Sequence, residues 1–132
     1  MLTTEEYATM KEHTLYGFNL LSKAIAKLEK ESLLNMAQEI ALYHHERWDG
    51  TGYPEGLKGE QIPISARIMS IADVYDALRT DRPYKKAFSA SEAANIVFEG
   101  KGSQFDPQLI GIFEEILPKL ESIYDGYLCK SE

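Results

Sequence analysis

The sequence predicts an all-α domain. Apolar residues recur at helical spacing through most of the chain, two capping boxes precede such stretches, and no segment alternates apolar and polar residues. The chain has 132 residues, 44% of them hydrophobic, which suits one domain with a core of its own and no metal or disulfide staple. Neither a repeat nor a Pro-, Gly- or Ser-rich linker divides it. The expected architecture is a single domain over residues 1–132, a bundle of about five to seven helices interrupted by one long glycine-rich loop.

Each element has a local cause. Thr3-Thr4-Glu5-Glu6 has capping-box spacing and starts a short helix ending near His13. Leu15, Phe18, Leu21, Ile25 and Leu28 mark a second helix, and the charged residues 27–31 connect it to a third. In that third helix Leu33, Met36, Ala37, Ile40 and Ala41 form an apolar face leading to His44. Residues 46–63 break the pattern with Gly50, Gly52, Gly56, Gly59, Pro54 and Pro63. Ordered loops of this length are usually functional. A fourth helix covers 64–78, with Ile68, Ile71, Ala72 and Tyr75 on one face. Ser89-Ala90-Ser91-Glu92 is a second capping box, opening a helix that runs to about Glu99 and stops at Gly100 and Gly102. Asp106-Pro107 pairs an N-cap with proline at the first helical position. The last helix passes through Leu117, where Pro118 kinks or restarts it toward Tyr124.

Composition excludes several functions. The lone cysteine, Cys129, cannot form an internal disulfide or a cysteine-built metal site, and it fits a reducing compartment. No apolar run approaches the ~20 residues of a membrane span, and residues 1–6 lack signal-peptide character. The expectation is a cytoplasmic protein without membrane insertion. A net charge of −7 disfavours binding to a nucleic-acid polymer. It leaves room for a small phosphorylated ligand held by a few local cations.

The chain has three histidines, and two of them, His44 and His45, adjoin the glycine-rich loop. Neighbours on a helix point about 100° apart. That arrangement suits two metals, or a metal and a phosphate, better than one shared ion. Taken alone, the pair fits a helix C-terminus favoured by the macrodipole. Asp73 lies mid-helix among apolar residues, where a buried carboxylate is costly unless paired or metal-bound. The plainer alternative is that Asp73 or Asp76 is solvated or pairs with Arg67 or Arg79. His13, at the boundary of the first two helices, fits a structural role by itself. A bundle can bring all three histidines and Asp73 inward together. That thiolate-free set suits iron, manganese or another metal with open coordination positions better than structural zinc. Such metals activate water and neutralise phosphate charge. Residues 79–86 are locally basic, and Arg79, Arg82, Lys85 and Lys86 could hold phosphate while Tyr84 stacks on a base. By themselves they also fit a solvated helix end.

Five segments carry a resemblance. They are Met10-Lys11-x-His13, His44-His45-Glu46-x-x-Asp49-Gly50-x-Gly52-Tyr53-Pro54, Pro63-x-x-Ala66-Arg67-Ile68, Ala72-Asp73-x-x-Asp76-Ala77-Leu78, and Asp81-Arg82-Pro83-Tyr84-Lys85. In their order and spacing over residues 7–117 the chain resembles the HD-GYP family, a branch of the HD-domain metal-dependent phosphohydrolases. Residues 102–107 are similar to that family's turn before its last helix. The resemblance implies an all-α bundle that hydrolyses cyclic di-GMP or a related cyclic dinucleotide at a site of two or three metals. It assigns His13, His44, His45 and Asp73 as metal ligands and Arg82, Lys85 and Tyr53 to the substrate. It makes Asp49, Gly50, Gly52, Tyr53 and Pro54 the signature loop. No residue is assigned as catalytic in its own right.

The family's His-Asp pair is absent from the sequence, because none of the three histidines precedes an aspartate. The chain is therefore expected to correspond to the C-terminal portion of such a domain. The resemblance gives that pair the carboxylate bridging the metals. Weak or absent hydrolysis by this chain alone is expected, with its divalent metal lost or only partly held. Uncovered apolar surface should favour homo-oligomers. The first reading is a cyclic-dinucleotide phosphodiesterase. The second is a non-catalytic signalling module that binds a cyclic dinucleotide or a signalling protein domain. A third, a phosphohydrolase of the wider HD superfamily with another nucleotide substrate, is opposed by the Gly52-Tyr53-Pro54 loop.

Overall fold

Six α-helices run in chain order in a computed structural model that describes residues 3–26 and 31–128: α1 (Thr4–Lys11), α2 (His13–Ile25), α3 (Glu31–Tyr43), α4 (Ile64–Arg79), α5 (Ala90–Glu99) and α6 (Pro107–Leu128). One 3-10 turn, Gly59–Gln61, lies in the loop between α3 and α4. The only β pairing among the described residues is two isolated bridges, Arg82 with Lys85 and Lys101 with Phe105. The all-α expectation holds. Leu28, the connection at 27–30 and Cys129 lie outside the described residues.

The helix starts follow the expected caps. The Thr3 hydroxyl accepts from the Glu6 amide at 3.2 Å, and the Glu6 carboxylate accepts from the Thr3 amide at 2.7 Å. Ser89 and Glu92 repeat the arrangement ahead of α5. Asp106 Oδ1 accepts from the Gln108 amide at 2.8 Å, capping α6 with Pro107 at its first position. One boundary differs from expectation, and one open alternative closes. α1 ends at Lys11 and His13 opens α2, so the chain turns just before that histidine. Pro118 does not end α6, which continues to Leu128. Pro118 and Glu114 are both exposed, so the carbonyl that loses its donor can meet water instead.

The core gathers Ile71 and Tyr75 of α4, Ala93 and Val97 of α5, and Phe105, Ile110 and Phe113 at the start of α6. Tyr75 meets Phe113 edge-on at 5.2 Å, and its hydroxyl donates to Glu121, which also takes Arg79 at 3.0 Å. α2 packs on α3, and α3 on α4. Gly17 permits the first contact, since a Cβ there would lie 3.2 Å from that of Ala41. α1 buries no residue. The result is a packed α4–α5–α6 unit, with α3 set against α4.

Candidate metal centre and signature loop

The three histidines converge. One ligand nitrogen from each of His13, His44 and His45 lies within 4.8 Å of the others. His13 Nε2 and His44 Nε2 are 3.4 Å apart. Two nitrogens held tetrahedrally about 2.1 Å from one ion would be separated by about 3.4 Å, so the spacing fits a shared divalent ion. The other ring nitrogens are occupied: His13 Nδ1 lies 2.6 Å from the Met10 carbonyl, and His44 Nδ1 lies 2.8 Å from that of Ile40. Each carbonyl accepts the Nδ1 hydrogen and leaves Nε2 as the free lone pair, the outer-shell arrangement usual for metal-binding imidazoles.

This corrects the expectation that His44 and His45 diverge. α3 ends at Tyr43, and both histidines lie in the turn that follows. The 100° rule of a continuing helix does not apply, and their ring centroids come within 4.1 Å. Burial, then the imidazoles of His44 and His13, push the His45 pKa down to about 4, with Asp73 opposing. His45 is therefore neutral at pH 7, the form a metal requires.

The glycine-rich loop is pressed against this turn. A Cβ on Gly52 would stand 2.4 Å from the Arg47 amide nitrogen and 2.6 Å from both Glu46 Cα and the His45 carbonyl oxygen. Only glycine fits there. The next residue, Tyr53, donates its amide to the His45 carbonyl at 3.3 Å. Its ring stacks on the His45 ring, with centroids 5.0 Å apart and planes 22° apart. The Lys11 ammonium sits over both the Tyr53 and Tyr7 rings, at 5.2 and 4.6 Å. Gly50, at φ 84°, turns the chain with its amide on the Arg47 carbonyl. Asp49 accepts from the Thr51 amide and hydroxyl at 3.0 and 2.6 Å, bonds that lower its pKa. It works as a loop organiser. The Trp48 and Asp49 amides donate to the Gln104 and Ser103 carbonyls, tying the loop to the turn before α6. Pro54 follows Tyr53 through a cis peptide bond.

Asp73 is exposed, as the solvated alternative has it; it lies outside the converging histidine group but lines a cavity of about 240 Å³ with His44, His45, Arg47 and Tyr53. The arginines proposed as its partners are engaged elsewhere. Arg67 pairs with Asp106 at 2.7 Å and Arg79 with Glu121 at 3.0 Å. Asp76 accepts from the Tyr124 hydroxyl at 2.8 Å. Arg82 and Lys85 exchange backbone hydrogen bonds across a tight turn beyond α4, with Tyr84 fully exposed at its tip. This turn is a separate feature: the cavity beside the histidines is lined by neither Arg82 nor Lys85.

Two interactions escaped the sequence reading. Glu46 is 2% exposed, and its carboxylate accepts from the amides of Glu55, Gly56 and Leu57 at 2.7, 3.0 and 3.0 Å. Three successive amides wrapped around an anion form a nest, here filled from within the chain. The only sequence signal was an acid between a histidine pair and a glycine-rich loop. The buried Arg67–Asp106 pair, 39 residues apart, left no local signal.

The chain is similar to known proteins over most of its length. The family described as HD domain matches residues 1–109. A cyclic di-GMP phosphodiesterase of Vibrio cholerae serotype O1 is 50% identical over 122 residues, which cover 92% of this chain and 25% of that protein. The 3'3'-cGAMP-specific phosphodiesterase 2 of the same organism is 41% identical over 114 residues, 86% of this chain and 21% of that protein. The crystal structure of a cyclic GMP-AMP-specific phosphodiesterase from V. cholerae superposes with a TM-score of 0.55 at 30% identity, covering 63% of this chain and 19% of that one. The chain thus spans about a quarter of the length of the curated relatives it matches. The histidine cluster, its glycine-rich loop and these similarities agree: the chain belongs to the HD-domain family, in its HD-GYP branch.

Proposed function

We propose that this chain supplies one wall of a divalent-metal site that hydrolyses a phosphodiester bond of a cyclic dinucleotide. The convergence of His13, His44 and His45 is the observation that carries the reading. The relatives named for cyclic di-GMP and 3'3'-cGAMP indicate the substrate class. The donor set is three imidazoles, with the Asp73 carboxylate lining the adjoining cavity and no thiolate, which favours iron or manganese. When bound, such an ion activates water and neutralises phosphate charge. The three histidines hold it, with Asp73 joining from the cavity that His44 and His45 line. Asp49, Gly50, Gly52, Tyr53 and Pro54 shape the wall beside it. Arg82 and Lys85 take the ligand's phosphates from the turn beyond α4.

The sequence holds no His-Asp pair, so the chain lacks the carboxylate that would bridge two ions. A two-metal clamp on attacking and leaving oxygens needs both ions. We therefore assign residues 1–132 to the C-terminal portion of such a domain, and expect hydrolysis by this chain alone to be weak or absent. Incubating the metal-loaded chain with cyclic di-GMP and with 3'3'-cGAMP, with chromatography of the products, tests this. Rapid metal-dependent turnover would contradict the weak-activity statement, and failure to bind any divalent metal would contradict the site itself. The missing pair also favours the second reading, a non-catalytic signalling module, which should bind a cyclic dinucleotide or a signalling domain with no metal present.

Exposed apolar residues support self-association. Leu20 and Leu33 are 69% and 73% exposed, and Ile68, Ile112 and Ile116 line an apolar groove of about 340 Å³ between α4 and α6. Sedimentation should show a concentration-dependent dimer or larger species, whereas a strict monomer at high concentration contradicts it. No helix among the described residues is long and apolar enough to cross a membrane. Together with the lone cysteine, this supports the cytoplasm as the compartment.

A further inference from the structure

His45 is held differently from its two partners. His13 and His44 each have a backbone carbonyl on Nδ1. Among the described residues, no hydrogen-bond partner fixes the His45 ring. The Tyr53 ring lies stacked on it instead, and Tyr53 is itself fixed on both sides. Gly52, before it, is wedged against residues 45–47. Residues 55–57, just after Pro54, donate three amides to the buried Glu46 carboxylate.

We propose that Glu46 is a positioning residue for the metal centre, acting on His45 through Tyr53. The side chain that follows His45 in sequence reaches across to the far limb of the loop and closes it. The closed loop clamps the tyrosine ring against the imidazole. The role usually played by a hydrogen bond to a ligand histidine is taken here by an aromatic face anchored by an anion in an amide nest. Glu46 touches neither metal nor substrate in this scheme. Its contribution is the orientation and rigidity of one ligand.

This inference rests on the metal-site reading above, and the experiment separates the two. Manganese affinity is measured by calorimetry on the full chain for wild type, Glu46→Gln, Tyr53→Leu and the double variant, with melting temperature recorded alongside. Glu46→Gln keeps the volume and one acceptor oxygen, but removes the charge and turns an NH2 group toward at least one of the three amide donors. It should weaken manganese binding about tenfold, the low end of outer-shell effects, while the far-ultraviolet spectrum stays helical. Tyr53→Leu should weaken it similarly. The double variant should be no weaker than the worse single one, because the two act in series. A cobalt-substituted sample should show an altered visible spectrum in Glu46→Gln, which lost stability alone does not produce. If wild type binds no manganese, the metal-site reading fails. If wild type binds and a folded Glu46→Gln matches it, or the losses multiply, the positioning role is overturned. Should Glu46→Gln not fold, Glu46→Asp keeps the charge on a shorter arm. A reduced affinity there supports the proposal, and wild-type affinity overturns it.

Discussion

His13 Nε2 lies 3.4 Å from His44 Nε2, although 31 residues separate them in sequence. The contact depends on α1 ending at Lys11, on α2 packing against α3, and on α3 stopping at Tyr43 so that the chain turns. Two helix ends and one packing contact therefore determine one donor pair.

Replacing either histidine should remove the site and keep the fold. His13 is exposed and His44 half-buried, so neither supports the core. His13→Ala and His44→Ala should each lower manganese affinity by more than the roughly 10–100-fold seen for outer-shell losses. Circular dichroism should stay helical and the melting temperature of the metal-free protein should hardly move. Retained affinity in His13→Ala, measured by calorimetry, would remove that residue from the ligand set.

The metal-free chain should lose stability as pH falls from about 6.5 to about 4. The folded His45 pKa, about 4, lies below the ordinary 6.5. The unfolded chain therefore takes up the proton first, and stability declines through that window. Below about 4 the folded state also protonates and this loss stops. Thermal melts in chelator should show the slope, and His45→Gln should flatten it. Nuclear magnetic resonance should place the His45 midpoint near 4, and a midpoint near 6.5 would contradict the burial described here.

Two glycine-to-alanine changes should have opposite signs. Gly52→Ala puts a methyl group within 2.4–2.6 Å of backbone atoms that cannot move aside, and should destabilise by about 1–3 kcal/mol and weaken metal binding. Gly111 lies within α6, and a methyl group added there would meet nothing within 4 Å. Gly111→Ala should therefore stabilise by roughly 0.5–1 kcal/mol. Urea denaturation of both variants measures the pair.

Asp106 should be the most sensitive charged residue away from the site. It is 4% exposed, caps α6 and pairs with Arg67, whose guanidinium also donates to the Ile62 carbonyl. Asp106→Ala removes the cap and strands a largely buried cation, costing about 3–5 kcal/mol. Chemical denaturation reads this directly.

The elements legible in the sequence were those with local causes. Thr3, Ser89 and Asp106 cap helices within three residues of themselves, and the apolar spacing of α2 to α6 reports burial along one helix. The motif likewise marked His13, His44 and His45. What was not legible depended on the chain leaving a helix or on partners far away. His44 and His45 read as diverging because the end of α3 at Tyr43 has no strong stop signal. Asp73 was open between a buried and a solvated carboxylate, because helical periodicity alone does not fix which side of α4 meets solvent; it is exposed. Glu46 meets amides nine to eleven residues on, and Arg67 meets Asp106 39 residues on. Pairing over such distances is set by tertiary packing, which periodicity does not encode.

The most direct test of the account is a manganese titration of the purified, chelator-stripped chain, followed by calorimetry and melting temperature. The account predicts binding close to one ion per chain and a melting temperature that rises with free metal, by the equivalent of about 2.7 kcal/mol at a hundredfold excess over Kd. It also predicts loss of both effects in a variant with His13, His44 and His45 all changed to alanine. No binding by the wild type, or equal binding by that triple variant, would contradict it.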